Sequence, residues 1–203
     1  KVVWGIHKGV ARARTGISAT HPAGQNWKST TKSSVIVKQL AVDEDSVWVL
    51  KSDGKVIQRK GVAPLVPDGT GWIDITGTEV ITFSFIACSN RVVWGLDMSG
   101  RPYVRKGISS SNVSGSGWAV VKSPPLNTVS ITSNGIIWVL DKEGALGFRT
   151  GASPDRPEGK GKWWEVAVST QAPISSFVHR LRSVETMSSL LTMSTEQQSI
   201  VSV

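Results

Sequence analysis

Nine tryptophans, set against one tyrosine and four phenylalanines in 203 residues, constrain this chain more than any other feature. They fall into two interleaved series. Trp4, Trp48, Trp94 and Trp138 follow one another at 44, 46 and 44 residues; Trp27, Trp72, Trp118 and Trp164 do so at 45, 46 and 46, with Trp163 an adjacent candidate for the last place. The first series recurs inside VVWGIHKGVARARTG, SVWVLKSDGKVIQRKG, VVWGLDMSGRPYVRKG and IIWVLDKEGALGFRTG, and the second is reached through HPAGQNW, VPDGTGW, NVSGSGW and RPEGKGKWW. A fixed period of this length marks an array of supersecondary units, each unable to bury its faces alone.

Within one unit the pattern is that of strands. Short runs such as VVWGL and YVR are rich in β-branched and aromatic residues and are separated by SDG, MSG or KEG turns, which is a hairpin signal. Gly16, Gly61, Gly107 and Gly151 close the second run, where a positive φ or tight bend suits glycine. Loops containing Pro-x-Gly lead to a third strand with the second tryptophan (GWIDIT, GWAVVKS), and a further strand precedes each first-series word (VKQLAVDED, VITFSFIACSN, NTVSITSNG). Four strands in about 45 residues make one blade of a β-propeller, so the expected fold is all-β, built from four-stranded antiparallel blades. The expected division is a partial blade over 1–31, blades over 32–76, 77–122 and 123–170, and a Ser/Thr-rich tail or degenerate next blade over 171–203.

Blades must stack radially, and large side chains at fixed positions fill the wedge between neighbours. An indole buries roughly 150–250 Å², worth on the order of 4–6 kcal/mol as an upper bound. Packing is therefore the expected role of Trp4, Trp48, Trp94 and Trp138. Arg14, Arg59, Arg105 and Arg149 recur ten or eleven residues later. Each could bind an anion or stack on a tryptophan and donate to strand-end carbonyls, and repetition in every blade favours the second.

No run of eighteen apolar residues is present, so a membrane span is not expected. The chain opens at Lys1 with neither a Met nor a charged-then-apolar leader. Cys88 is the only cysteine, which excludes an internal disulfide framework, leans toward a reducing compartment and reads as a small buried hydrophobe. The net charge of +8 favours an acidic partner, but its cations are scattered, without the clustered stripe of a nucleic-acid binder. His7, His21 and His179 lie far apart, and Asp43–Ser46 (DEDS) lacks the glycine and distal glutamate of a calcium loop, so it reads as a solvated turn. Neither a nucleophile elbow, a paired-carboxylate layout nor a phosphate loop is found; no enzymatic activity, catalytic residue, metal or cofactor is expected. Asn112–Ser114 (NVS) is a glycosylation sequon on a predicted loop.

The word xVWxLDxxGxxxxRxG followed by PxGxxW, repeated over about residues 1–170, resembles the tectonin (TECPR-type) β-propeller repeat; the Trp-Asp dipeptides of WD40 and the double glycines of Kelch are missing. The resemblance implies that the chain is an incomplete segment of a six-bladed propeller. It implies one of two functions. One is a non-enzymatic scaffold binding proteins or acidic lipid headgroups in autophagy or vesicle trafficking, cytoplasmic and peripheral on autophagosome or lysosome membranes. The alternative is a secreted lectin of the innate-immune type, binding glycans. Trp163–Val166 (WWEV) is similar to the aromatic-x-x-aliphatic pattern by which autophagy proteins bind ubiquitin-like partners through strand addition, although it coincides with a blade tryptophan. The loops before the second tryptophans should crowd one rim, and Trp27, Trp72, Trp118, Trp163, Trp164 and Val166 are the candidate contact residues.

Overall fold

The computed structural model describes residues 2–75 and 81–166; the expected tail over 171–203, with His179, lies outside them. The described residues form fifteen strands in four antiparallel sheets, each laid down in chain order. The first sheet holds β1 (Trp4–His7), β2 (Val10–Thr15) and β3 (Asn26–Ser29). The second holds β4 (Val37–Val42), β5 (Val47–Lys51), β6 (Val56–Lys60) and β7 (Gly71–Asp74), and the third β8 (Phe83–Ser89), β9 (Val92–Asp97), β10 (Pro102–Lys106) and β11 (Gly117–Val120). The fourth holds β12 (Leu126–Ile131), β13 (Ile137–Asp141), β14 (Leu146–Thr150) and β15 (Lys160–Val166).

The leading strands pack in series, β1 on β4, β4 on β8 and β8 on β12, and no comparable packing among the described residues returns from β12 to β1. The molecule is thus an arc of propeller blades, the first of which has three described strands. In β4, β8 and β12 the register slips one residue after the first pair, at Val37/Gln39, Phe83/Phe85 and Leu126/Thr128. Such a bulge sharpens the local twist, and its recurrence gives these three blades the same bend at the start of the leading strand.

Sheets stacked face to face cover both sides of their middle strands, which explains why β5 and β9 are apolar without alternation and buried almost throughout. Three apolar clusters result, one for each interface. Ala11, Val37, Val49 and Ile57 join the first two sheets. Trp48, Leu50, Phe83, Ile86 and Trp118 join the second and third, and Trp94, Leu96, Leu126, Val129 and Trp163 join the third and fourth. Trp48 and Trp94 have no exposed surface, whereas Trp4 and Trp138 in the outermost described sheets are half-buried.

In the second, third and fourth sheets the hairpin turn that follows the second strand is tied by a carboxylate. Asp97 Oδ1 accepts the N–H groups of Ser99 and Arg101, and Asp141 Oδ1 those of Glu143 and Ala145. The second sheet has Lys51 at that strand end, and Asp53 within the turn accepts the N–H of Lys55 instead. Gly100 completes the third-sheet turn at φ 88°, and a Cβ there would lie 2.5 Å from the Leu126 carbonyl oxygen, so both backbone and neighbour demand glycine.

Candidate functional site

Antiparallel strands send the loop between the third and fourth strands of every blade to one rim, opposite the Asp-tied turns. These are the loops before the second tryptophans, and the repeated arginines pin them. Arg14 Nε donates to Ala23 O (2.8 Å), Arg59 Nε to Asp68 O (2.6 Å) and Arg105 Nε to Ser114 O (2.8 Å), while each guanidinium lies over an indole of its own blade: Trp27 at 5.3 Å, Trp72 at 5.0 Å and Trp118 at 5.6 Å. In each case arginine and tryptophan are direct cross-strand partners. The arginine therefore reaches the second-series tryptophan and the loop carbonyls, by both hydrogen bonding and cation–π contact. Gly16, Gly61, Gly107 and Gly151 follow at φ 65–72°, where the chain turns into the loop.

The fourth blade departs from the sequence reading. Trp27, Trp72 and Trp118 stand five residues after the loop positions Pro22, Pro67 and Val113, but Trp163 stands six after Pro157 and Trp164 seven. The extra residue is absorbed as a register shift between Phe148 and Thr150, with Gly161 at φ 69°. Arg149 consequently donates to Gly161 O and lies 5.4 Å over Trp163. Trp163, rather than Trp164, fills the equivalent place, edge-on to Trp94 at 6.3 Å as Trp72 is to Trp4 at 6.1 Å. Trp164 stacks on Phe148, which in turn meets Trp138.

The first-series indoles reach from one blade into the next blade's loop. Trp4 Nε1 donates to Pro67 O (3.0 Å) and Trp94 Nε1 to Pro157 O (2.8 Å). The third-blade loop has Val113 at that position, and Trp48 Nε1 donates to Ser46 Oγ instead. Buried Gln58 takes over the loop, donating to Val113 O (2.8 Å) and accepting from Ser114 Oγ (2.6 Å). Gln58 and Gln39, whose amide pairs with both backbone groups of Ile86, had no repeat to reveal them in the sequence.

The DEDS turn also does more than meet solvent. Asn90 and Arg91 both adopt positive φ in the tight β8–β9 hairpin, and the preceding blade holds that turn: Asp43 Oδ2 accepts the Arg91 N–H and Asp45 pairs with its guanidinium at 2.7 Å. Clefts of about 350 Å³ (beside Asp43, Asp45, Arg91 and Pro154) and 470 Å³ (beside Val3, Val42, Glu44 and Pro64) flank this acidic turn on the rim. Cys88 is partly buried against the second cluster; burial, then Asp43 and Asp45, push its thiol well above the usual range.

The candidate contact residues separate by burial. Trp118 and Trp163 are 7% and 3% exposed and present no ring to a ligand, because the blade interfaces enclose them. Trp72, Trp164 and Val166 are half-buried, and Trp27 is 46% exposed. A partner adding a strand at β15 would meet backbone and the Trp164/Val166 face rather than the Trp163 ring. The rim instead displays apolar loop tips that the repeat words did not flag: Leu65 is 96% exposed, and Val66 and Val113 lie on the same and the adjacent loop. Among the described residues, no group of three or more His, Cys, Asp or Glu could hold a metal ion, and no helix is long and apolar enough to cross a membrane.

A family model for the tectonin domain matches residues 82–184, just over half of the chain, and a propeller model matches residues 46–75. The chain belongs to the tectonin domain family. Solved structures similar to this tectonin chain include human WBSCR16 (13% identity, 79% of this chain and 49% of that one, TM-score 0.57). Yeast RCC1 (Prp20) bound to Kap60 is another (12%, 81% and 46%, TM-score 0.55), as is YCF48 from Cyanidioschyzon merolae (13%, 84% and 53%, TM-score 0.50). At such identity these likenesses show the propeller fold alone, and the chain spans about half the length of the structures it matches. No curated protein matches it.

Proposed function

We propose that this tectonin chain is a protein-binding scaffold that engages its partner through the loop rim, in the setting of autophagy or vesicle trafficking. The observation that carries the reading is the rim's construction. Arginine and tryptophan pin loops of differing sequence, and two adjacent pinned loops end in exposed Leu65, Val66 and Val113 beside the acidic Asp43–Asp45 turn. Rigidly held loops of variable sequence are the usual carriers of recognition, and apolar tips rimmed by charge suit a protein surface. Propellers of this fold take protein partners, as the Kap60 complex of yeast RCC1 illustrates. The test is affinity capture with the full chain and with Leu65→Asp plus Val113→Asp, both substitutions at exposed positions. Folded variant protein that retains every wild-type partner would refute the rim as the binding face.

A second reading, a lectin, rests on the exposed indole of Trp27 beside the His21–Gln25 loop, since exposed indoles stack on sugars. A glycan array separates the two: specific glycan binding abolished by Trp27→Ala, together with failure to capture protein, would favour the lectin and a secreted location.

A further inference from the structure

Each blade interface joins two unlike faces, and the arc leaves one of each kind open. The trailing face of a blade carries the first-series indole, which donates to a loop carbonyl of the next blade: Trp4 Nε1 to Pro67 O at 3.0 Å and Trp94 Nε1 to Pro157 O at 2.8 Å. The leading face carries the second-series indole, which meets that ring edge-on, Trp72 on Trp4 and Trp163 on Trp94. Trp138 stands at the donor position in the fourth sheet, and its Nε1 has no acceptor among the described residues. In the first blade Pro22 has the place of Pro67, because Arg14 Nε bonds Ala23 O next to it as Arg59 Nε bonds Asp68 O. Pro22 O accepts nothing from the described residues.

The side chains around these two groups match as well. Trp138, Phe148 and Trp164 are cross-strand partners in a line, with rings 5.1 and 6.3 Å apart, on the side of the fourth sheet away from Ile137, Val139 and Trp163. At the other end of the arc, Ala11 and Ala13 turn toward the second sheet with no exposed surface, so Arg12 and Arg14 stand on the outward side of the first. A Cβ at Gly5 would lie 3.4 Å from the Trp27 ring, which therefore runs along that outward side. Trp27 is 46% and Val3 43% exposed there, and Arg12 Nε is buried without an acceptor. An indole donor with an aromatic ladder at one end thus complements an acceptor, an indole and guanidinium groups at the other. Unlike faces pair head to tail, and such contacts form a ring when the rotation closes. The arc spans about half the length of the propellers it matches, so two arcs make up one ring's length.

We propose that a second copy of this chain seats its leading face on the trailing face of the first. Trp138 then donates to Pro22 O of the second copy and meets its Trp27 edge-on, its Arg12 lies against the Trp138–Phe148–Trp164 ladder, and two such joints close a ring. The joint does not depend on what the loop rim binds. Sedimentation equilibrium of the full chain at micromolar concentration should give about twice the 21.8 kDa of one copy. A monomer would overturn the proposal. Every joint needs one face of each kind, so Trp27→Asp and Trp138→Asp should each be monomeric alone. Mixed in equal amounts, the two variants retain one intact joint per pair and should dimerise again, which also shows that both fold. Dimers that survive in either variant alone, or a mixture that stays monomeric while circular dichroism shows both variants folded, would refute head-to-tail pairing. Trp138→Phe keeps an aromatic ring on Phe148 and removes the indole N–H, so it should raise the dissociation constant several-fold without loss of fold. An unchanged constant in that variant would refute the pairing with Pro22.

Discussion

Replacing Arg105 with methionine keeps most of the stem volume while removing the guanidinium, and the repeat supplies its own control in Arg14→Met. Arg105 is 7% exposed; its Nε donates to Ser114 O at 2.8 Å, its Nη2 to Gly115 O at a longer 3.4 Å, and its head lies over Trp118. A charge-assisted hydrogen bond contributes about 1.5–3 kcal/mol when buried, and the cation–π contact adds about 0.5–2 kcal/mol. With partial rehydration of the loop, a loss of about 2–4 kcal/mol is expected, or a fall in Tm of roughly 5–15 °C for a chain of this size. Arg14 makes the same contacts over Trp27, but Trp27 is 46% exposed and the bond to Ala23 O faces water, so about 0.5–1 kcal/mol is expected. Thermal and urea unfolding followed by tryptophan fluorescence measure the difference. Because blade arrays unfold partly by segment, hydrogen exchange of residues 109–117 should be read alongside. Equal losses in the two variants, or unchanged exchange in that loop when Arg105 is removed, would refute burial as what sets the strength of the latch.

Trp94→Ala should cost about 3–5 kcal/mol in chemical unfolding, since Trp94 is fully enclosed and donates to Pro157 O, while Trp27→Ala should cost about 1 kcal/mol or less. Acid should weaken the Asp97 turn and the Glu158–Lys106 pair. Burial opposes ionisation of both carboxyls, but hydrogen bonds from Ser99, Arg101 and Tyr103 to Asp97, and from Lys106 to Glu158, outweigh it and hold both below their ordinary range. Their contribution is full above the unfolded values near about 4 and is lost as pH falls through the lower folded values, so Asp97→Asn should flatten the acid limb of a stability–pH curve. Cys88 should react slowly with an aromatic disulfide reagent at neutral pH and rapidly in denaturant; fast labelling of folded protein would contradict its packing.

The blade was legible in the sequence because its parts are local. Short β-branched and aromatic runs, glycine turns and recurring tryptophans act within a few residues of one another, and repetition made the pattern visible in one unit after another. The partnership of Arg105 with Trp118 rather than Trp94 was not legible, because the two stand in different words on either side of a loop and only pairing in register brings them together. Trp163 displaced Trp164 for the same reason: one extra loop residue shifts the register, and the letters alone do not say where a bulge absorbs it. Gln58 and the Asp43–Arg91 clamp are single events at blade interfaces, outside the repeat.

By itself, then, the sequence determined the unit: its length, its strands, its turns and the residues large enough to wedge one sheet against the next. Only the tertiary structure decided which indoles are enclosed and which face outward. Burial and charge environment depend on the neighbouring blade as much as on a residue's own, and contacts between blades join residues such as Trp4 and Pro67 that stand 63 positions apart.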